Sequence, residues 1–430
     1  MLRTYRTELR RSPLLTAFPV MIAVDLAVLF GRSRYWIGVW PEASAAAQVV
    51  TLFLGPMVAG VSAWQAGRAS RAGMPEFLLG AARPGWRVEG ARLAATLTLG
   101  FAAYAIGCLT AAAVSWRDAG PGFLWPSYLL LGASTLLLFA SVGHLAGRWW
   151  PSAAFTPVIC ALGGFIALLA QPVKFNVLAG APDTHLRPLA ITVRLLLALL
   201  LAVIAVAAPP LPGRAWRTVP RRPVSWGTRG VTLGAVACSL VALAALPAAG
   251  SLRMERPAVV PECSRAAEEA PRVCVWPEHR KYLPELAALA ERLAEPTQPW
   301  IKAPDTFHQF GLRRARLGDR GFDIAEGHVR TAAIAMSHQV FAASFGRCLP
   351  PDGASRAWQA VDNLHLWLEY KAMGRDPAVA DRGLTLSGVS GAQRAAGAAA
   401  RMSPAEQRSW VDRERRELRE ESWCEPDDRG

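Results

Sequence analysis

Acidic residues are scarce in the first part of this chain. Residues 1–250 hold 7 Asp and Glu against 21 Lys and Arg, while residues 251–430 hold 26 of each, so the formal net charge of +14 belongs wholly to the first part. Lysine is scarce throughout, with four in 430 residues. No lysine follows a glycine, which removes the Gly-x4-Gly-Lys-Ser/Thr loop and the nucleotide binding that depends on it. No His-Glu-x-x-His is present, nor any Cys-x-x-Cys or Cys-x-x-His, so the ordinary zinc spacings are missing too. Gly388-Val389-Ser390-Gly391-Ala392 departs from the nucleophile elbow at its last position and lacks a strand before it. Neither an enzyme nor a bound cofactor is expected. Nucleic acid is not an expected partner either, because a basic binding domain carries its charge on a soluble face.

The arginines instead fill the short segments between long apolar runs. Seven runs approach the ~20 residues needed to cross ~30 Å of hydrocarbon. They cover residues 12–30, 45–66, 93–116, 123–146, 153–170, 189–208 and 231–250, the fifth being short and carrying Pro157. With the N-terminus in the cytoplasm, the inner segments hold fifteen basic residues. The outer ones hold five, Arg32, Arg34, Arg117, Lys174 and Arg187. That bias is the positive-inside rule, and it predicts a multi-pass protein of the cell membrane. Seven crossings then place residues 251–430 outside. The first run reads as a retained helix and not a signal peptide: Asp25 interrupts it, Arg32 and Arg34 follow it, and no small-residue cleavage site appears.

Cys108, Cys160 and Cys238 fall in apolar runs, where a thiol is a small core residue. Cys263, Cys274, Cys348 and Cys424 all lie in the tail, and four cysteines in an oxidising space predict two disulfides. Of the three pairings, Cys263–Cys274 with Cys348–Cys424 is the most economical. Residues 251–262 read as a Pro-containing linker, and residues 263–430 as an extracytoplasmic helical domain. Helical spacing marks Pro284–Ala294, Phe322–Phe345 and Ser355–Met373. Ser403-Pro404-Ala405-Glu406 is a capping box opening a charged, exposed helix that runs to about Glu421. The fold class is therefore all-α: a transmembrane bundle of six to seven spans with a disulfide-stabilised helical tail.

Few residues in this frame carry chemistry. Asp25 and Arg194 stand at matching depths in the first and sixth runs, and an ion pair between them would offset the cost of two charges in hydrocarbon. His144 is expected at the membrane interface. In the tail, His365 and Glu369 are four apart on one helical face and are weak metal candidates, needing His328 or His338 nearby. The same spacing also stabilises ordinary helices. Trp276-Pro277-Glu278-His279 reads either as a recognition surface or, preferably, as the start of a helix pinned by the neighbouring disulfide.

Two cytoplasmic segments look suited to docking. Thr4–Leu15 (TYRTELRRSPLL) alternates Arg with apolar residues, as a helix lying in the interface does. The loop Gly67–Arg92 carries Phe77, Leu78 and Leu79 as an apolar patch between basic ends. TYRTELRRSPLL resembles the interfacial helix of ABC-2 type transporter permeases, and AWQAGRASRAGMPEFLLGAARPGWRVEGARLA resembles their cytoplasmic coupling region. The resemblance covers about residues 1–215. It implies an exporter subunit energised by a separate ATPase, seated in the lipid bilayer and forming homo- or hetero-oligomers. The seventh run and the cystine-bearing tail depart from that family's pattern. A membrane-tethered extracytoplasmic enzyme, and a non-transporting binding or immunity protein on a permease-like scaffold, are the other readings. The Arg/Ala-rich composition resembles that of GC-rich actinobacterial genomes.

Overall fold

The computed structural model describes residues 2–31, 34–72, 85–170, 175–209, 226–294, 300–313, 321–325, 327–346, 348–351, 355–374, 391–421 and 423–424. They form two compact units, Met1–Met254 and Glu255–Gly430.

The first unit is a helical bundle. Its helices are α1 (Leu2–Arg10), α2 (Pro13–Gly31), α3 (Trp40–Val49), α4 (Thr51–Arg71), α5 (Gly85–Ser115), α6 (Pro126–Trp149), α7 (Phe155–Ala170), α8 (Pro188–Ala207) and α9 (Trp226–Ala248). Proline opens α2, α6 and α8, where its fixed φ suits the first turn and its missing N–H costs nothing. Among the described residues, six helical runs are long and apolar enough to cross a membrane: α2, α3 with α4 as one run Trp40–Arg71, α5, α6, α8 and most of α9. α7 is apolar but has only 16 residues. This is a multi-pass membrane protein.

Close contacts set the direction of each helix. Trp125 donates its N–H to Ser44 Oγ (2.8 Å), and the Ser62 hydroxyl donates to Ala140 O (2.8 Å). Gly143 and Gly147 lie directly on the backbone of Ala59 and Ala63. α6 is therefore parallel to α4, and small residues four apart on both helices let the two backbones touch. α7 runs the other way. Pro157 meets Gly60 and Leu168 meets Gly55, while Pro151 lies by Gly67. Val177 donates its N–H to Gln48 Oε1 (2.9 Å). The contacts of α7, Pro151 and Val177 thus run along α4 and the end of α3 from residue 67 to residue 48, about 28 Å at 1.5 Å per residue. The described residues on either side of α7, 151–154 and 175–177, are non-helical and lengthen the stretch that lies along these helices.

The chain consequently enters and leaves the bundle at opposite ends. α1 lies with the end of α4 and the start of α5, through Glu8, Arg68 and Arg92. Leu252 and Ala249 pack at the other end with Ala45, Tyr128 and Leu186.

The second unit is mainly helical. It contains α10 (Leu283–Leu293), α11 (Val329–Phe345), α12 (Ser355–Met373), α13 (Gly391–Ala400) and α14 (Pro404–Glu421). One hydrophobic core runs from Val273 to Leu418 and includes Phe307, Phe322, Met336, Leu364 and Trp367, all fully buried. Ser403 and Glu406 form the expected capping box: the Ser403 N–H reaches Glu406 Oε2 at 2.9 Å, and the Glu406 N–H reaches Ser403 Oγ at 3.5 Å. α14 is mostly exposed but buries Trp410, Val411 and Leu418.

Short strands accompany these helices. β1 (Glu262–Ser264) pairs antiparallel with β2 (Arg272–Val275), which pairs parallel with β3 (Thr306–His308). β4 (Cys348–Leu349) pairs with β5 (Trp423–Cys424). With two to four residues each, they are too short to leave an alternating pattern in the sequence. The helix expected from Phe322 begins only at Val329. Gly321 and Gly327 adopt φ of 84° and 75°, which a right-handed helix excludes. Asp323 instead accepts the Ile324 N–H (2.7 Å) in a local turn.

Candidate functional site

A cluster of charged and polar side chains among the described residues of the first unit lies at the end that carries α1. α1 has an apolar stripe and a basic face, and none of its residues is buried. Glu8 alone in it is acidic, and it accepts from Arg68 (2.7 Å) and Arg92 (3.4 Å). Arg92 also donates to Glu89 (2.9 Å), one turn earlier on α5. Glu89 Oε2 faces His144 Nε2 at 3.1 Å. Arg148, one turn beyond His144 on α6, donates to Ala205 O (2.6 Å) and Val206 O (3.3 Å) at the end of α8. Beneath this layer the Thr96 hydroxyl donates to Gln65 Oε1 (2.7 Å), and the Gln65 amide donates to Ser12 Oγ.

The arrangement ties α1, α4, α5, α6 and α8 to one another through charge. His144 is fully buried, and the Arg92 side chain is 8% exposed. Charges this deep need partners, and each here has one. His144, expected near the membrane interface, is fully buried in the bundle and faces Glu89 of α5. Motif reasoning missed this network. The signal available was the scarcity of acid: Glu8 and Glu89 are two of the seven acidic residues in 1–250, each set among arginines.

The ion pair expected between Asp25 and Arg194 is not formed. α2 packs against α5, α4 and α3, whereas α8 packs against α6, α9 and α5. The Asp25 carboxyl is wedged against Gly107 of α5, where any larger residue would collide with it. Arg194 donates to Ala190 O (2.8 Å) in its own helix and lies over the Phe175 ring, 5.5 Å from its centroid. Equal depth does not make two helices neighbours. Phe77, Leu78 and Leu79 lie outside the described residues.

In the tail, Cys263 and Cys274 form a disulfide across directly opposed residues of β1 and β2. Cys348 and Cys424 oppose each other in the same way in β4 and β5. His365 does not combine with Glu369. Glu369 accepts from Arg330 (2.6 Å), and the His365 ring stacks on His338 with centroids 4.1 Å apart. Burial and the neighbouring His338 hold His365 down to about 3. Among the described residues no three His, Cys, Asp or Glu side chains converge in a way that could hold a metal.

Trp276 and His279 are both fully buried. The Trp276 indole donates to Phe310 O (2.9 Å), and Gln309 donates its amide to His279 Nδ1 (2.7 Å). Burial lowers His279 to about 4, which suits a neutral ring accepting a hydrogen bond. This segment is the packed start of the helical core beside the disulfide.

A family model described as a domain of unknown function, DUF7224, matches residues 273–420. No curated protein and no solved structure matches the chain. The matched residues begin in β2 and end in α14, and so coincide with the core of the second unit.

Proposed function

We propose that the chain is a permease-like membrane subunit of an ABC-2 type exporter, energised by a separate ATPase. The observation that carries this reading is the shared anchoring of α1 and of both ends of the 72–84 segment. Glu8 holds Arg68 from the helix before that segment and Arg92 from the helix after it. An amphipathic helix held to the helices before and after that segment offers a platform on which a motor protein can push. The buried network beneath the platform links it to α6 and α8, so force applied there reaches spans that the partner does not touch. Without that link a docked ATPase would only bind.

The same reading orients the protein. The end bearing α1 carries the arginines, which places it in the cytoplasm by the positive-inside rule. Leu252 packs at the other end of the bundle, and an extracytoplasmic tail, where a disulfide is stable, fits this reading. The tail would meet substrate, an envelope partner or the second half of the transporter.

The experiment is purification of the full chain from its native membranes in mild detergent, with identification of bound proteins. A nucleotide-binding subunit should copurify, and Phe77→Asp with Leu78→Asp should abolish its retention without lowering the amount of this chain. Absence of any ATPase from the wild-type preparation would reject the exporter reading in favour of a non-transporting scaffold.

A further inference from the structure

A groove of about 640 Å³ opens on the flank of the bundle where α5, α8 and α9 meet. Its walls include Trp86 and Leu93 of α5, Leu199 and Val203 of α8, and Gly227 and Val231 of α9. Apart from the Thr228 hydroxyl, every side chain along it is hydrocarbon or the Trp86 indole. Leu199, Val203 and Val231 are exposed, and they lie on helices long and apolar enough to span a membrane, so the groove faces lipid and not water. Its position along the helices is set by the charge network. Leu93 is next to Arg92, and Val206 is one of the carbonyls that Arg148 holds. The groove therefore sits in the half of the bundle nearest the basic end. Residues 199–207 of α8 give it a depth of about 12 Å along the helix.

The mouth is basic. Arg87 follows Trp86, and its guanidinium lies over the indole 5.3 Å from the ring centroid. Arg229, exposed, follows Thr228 on the opposite wall. A tryptophan at the rim stacked beneath a guanidinium is what the interfacial layer of a membrane selects. Below it lies an apolar slot, above it positive charge. That sequence of environments, read from the surface inward, is the inverse of an anionic lipid: phosphate first, then acyl chain.

We propose that this groove binds one anionic phospholipid of the leaflet at the basic end, with an acyl chain between α5, α8 and α9 and its phosphate between Arg87 and Arg229. The inference needs only that the bundle is in a membrane and does not rest on an ATPase partner. A basic pocket between spans on the cytoplasmic side is a recognised setting for anionic headgroups. Of the six candidate spans among the described residues, α9 has the smallest share of its apolar stretch buried in the bundle, 17%, so a lipid in this groove also supplies packing that protein does not. A zwitterionic lipid would fill the slot equally but would gain nothing from the two guanidiniums.

The test uses the full chain, delipidated in mild detergent and then offered phosphatidylglycerol or phosphatidylcholine, with retained lipid read by native mass spectrometry. One phosphatidylglycerol should be retained per chain. Each guanidinium near the surface should contribute about a fivefold preference over phosphatidylcholine, so the pair gives roughly twenty-five-fold. Arg87→Gln with Arg229→Gln should remove that preference, while Arg87→Lys, which keeps the charge and the fold, should keep most of it. Leu199→Trp with Val203→Trp should reduce retention of both lipids by filling the slot. Equal retention of the two lipids by the wild type would overturn the proposal. So would a preference that survives loss of both arginines. A dimer dissolved by the two tryptophans, with no lipid bound, would assign the groove to a second copy instead.

Discussion

Glu89 is the residue on which the buried network should be most sensitive. It is 15% exposed, and it faces Arg92 (8% exposed) at 2.9 Å and His144 (1% exposed) at 3.1 Å. Glu89→Ala removes both contacts and leaves Arg92 with a single 3.4 Å approach to Glu8. Breaking a buried pair by deleting one partner costs roughly 3–5 kcal/mol. Because Glu8 still compensates Arg92 in part, the lower end, about 3 kcal/mol, is expected here. For a unit of this size each kcal/mol moves the midpoint by a few degrees, so the melting temperature should fall on the order of 10 °C. Glu89→Gln keeps an acceptor oxygen and should lose about half as much. The double change Glu89→Ala with Arg92→Ala should melt above Glu89→Ala alone, since it leaves no orphaned guanidinium. The assay is the loss of the monodisperse size-exclusion peak after heating detergent-solubilised protein. A single variant that melts within about 2 °C of wild type, or single losses that simply add in the double, would refute the network as a structural element.

Other outcomes follow from the same geometry. Opposed cysteines at 263–274 and 348–424 should leave three titratable thiols, Cys108, Cys160 and Cys238, in protein denatured without reductant, and five would show that the second bond does not form. Closing the 11-residue separation between Cys263 and Cys274 should contribute about 2–3 kcal/mol, measured as the stability lost in the Cys263→Ser, Cys274→Ser variant. His365 and His279 are held down to about 3 and about 4, below their unfolded value near 6.5, so the unfolded chain binds more protons between those limits. The stability they carry is full above about pH 6.5 and is lost as pH falls towards 4. Hydrogen exchange in α11 and α12, corrected for intrinsic rate, should therefore be faster at pH 5 than at pH 7, and equal protection at both would reject the assignment. A reporter active only in the cytoplasm should signal when fused after Arg222 and stay dark after Gly430, and signal at Gly430 would place the tail inside.

Much of the architecture was legible because it depends on one-dimensional properties. Hydrocarbon thickness demands runs of about 20 apolar residues, so the spans could be read from composition alone. The Ser403–Glu406 box that opens α14 is local chemistry and appears where its residues stand. The Cys263–Cys274 bond followed from the parity and spacing of the tail cysteines. Strands of two to four residues have no pattern to show, and the turn at Gly321–Gly327 delayed α11 by a conformation that helical spacing does not reveal.

What the chain alone could not decide was which helix faces which. Asp25 and Arg194 matched in depth and sign, yet Asp25 found a glycine notch at Gly107 and Arg194 its own helix and Phe175. Glu89 found His144, 55 residues away, only because α5 and α6 meet at the basic end. α7 is too short to be read as a span, and only the contacts show residues 151–170 and 177 lying along the α3–α4 run from Gly67 to Gln48. In lipid every span is apolar to its neighbours, so hydrophobicity cannot rank the possible pairs. The choice falls to close-fitting surfaces such as Gly143 and Gly147 on Ala59 and Ala63, and those exist only once both backbones are in place.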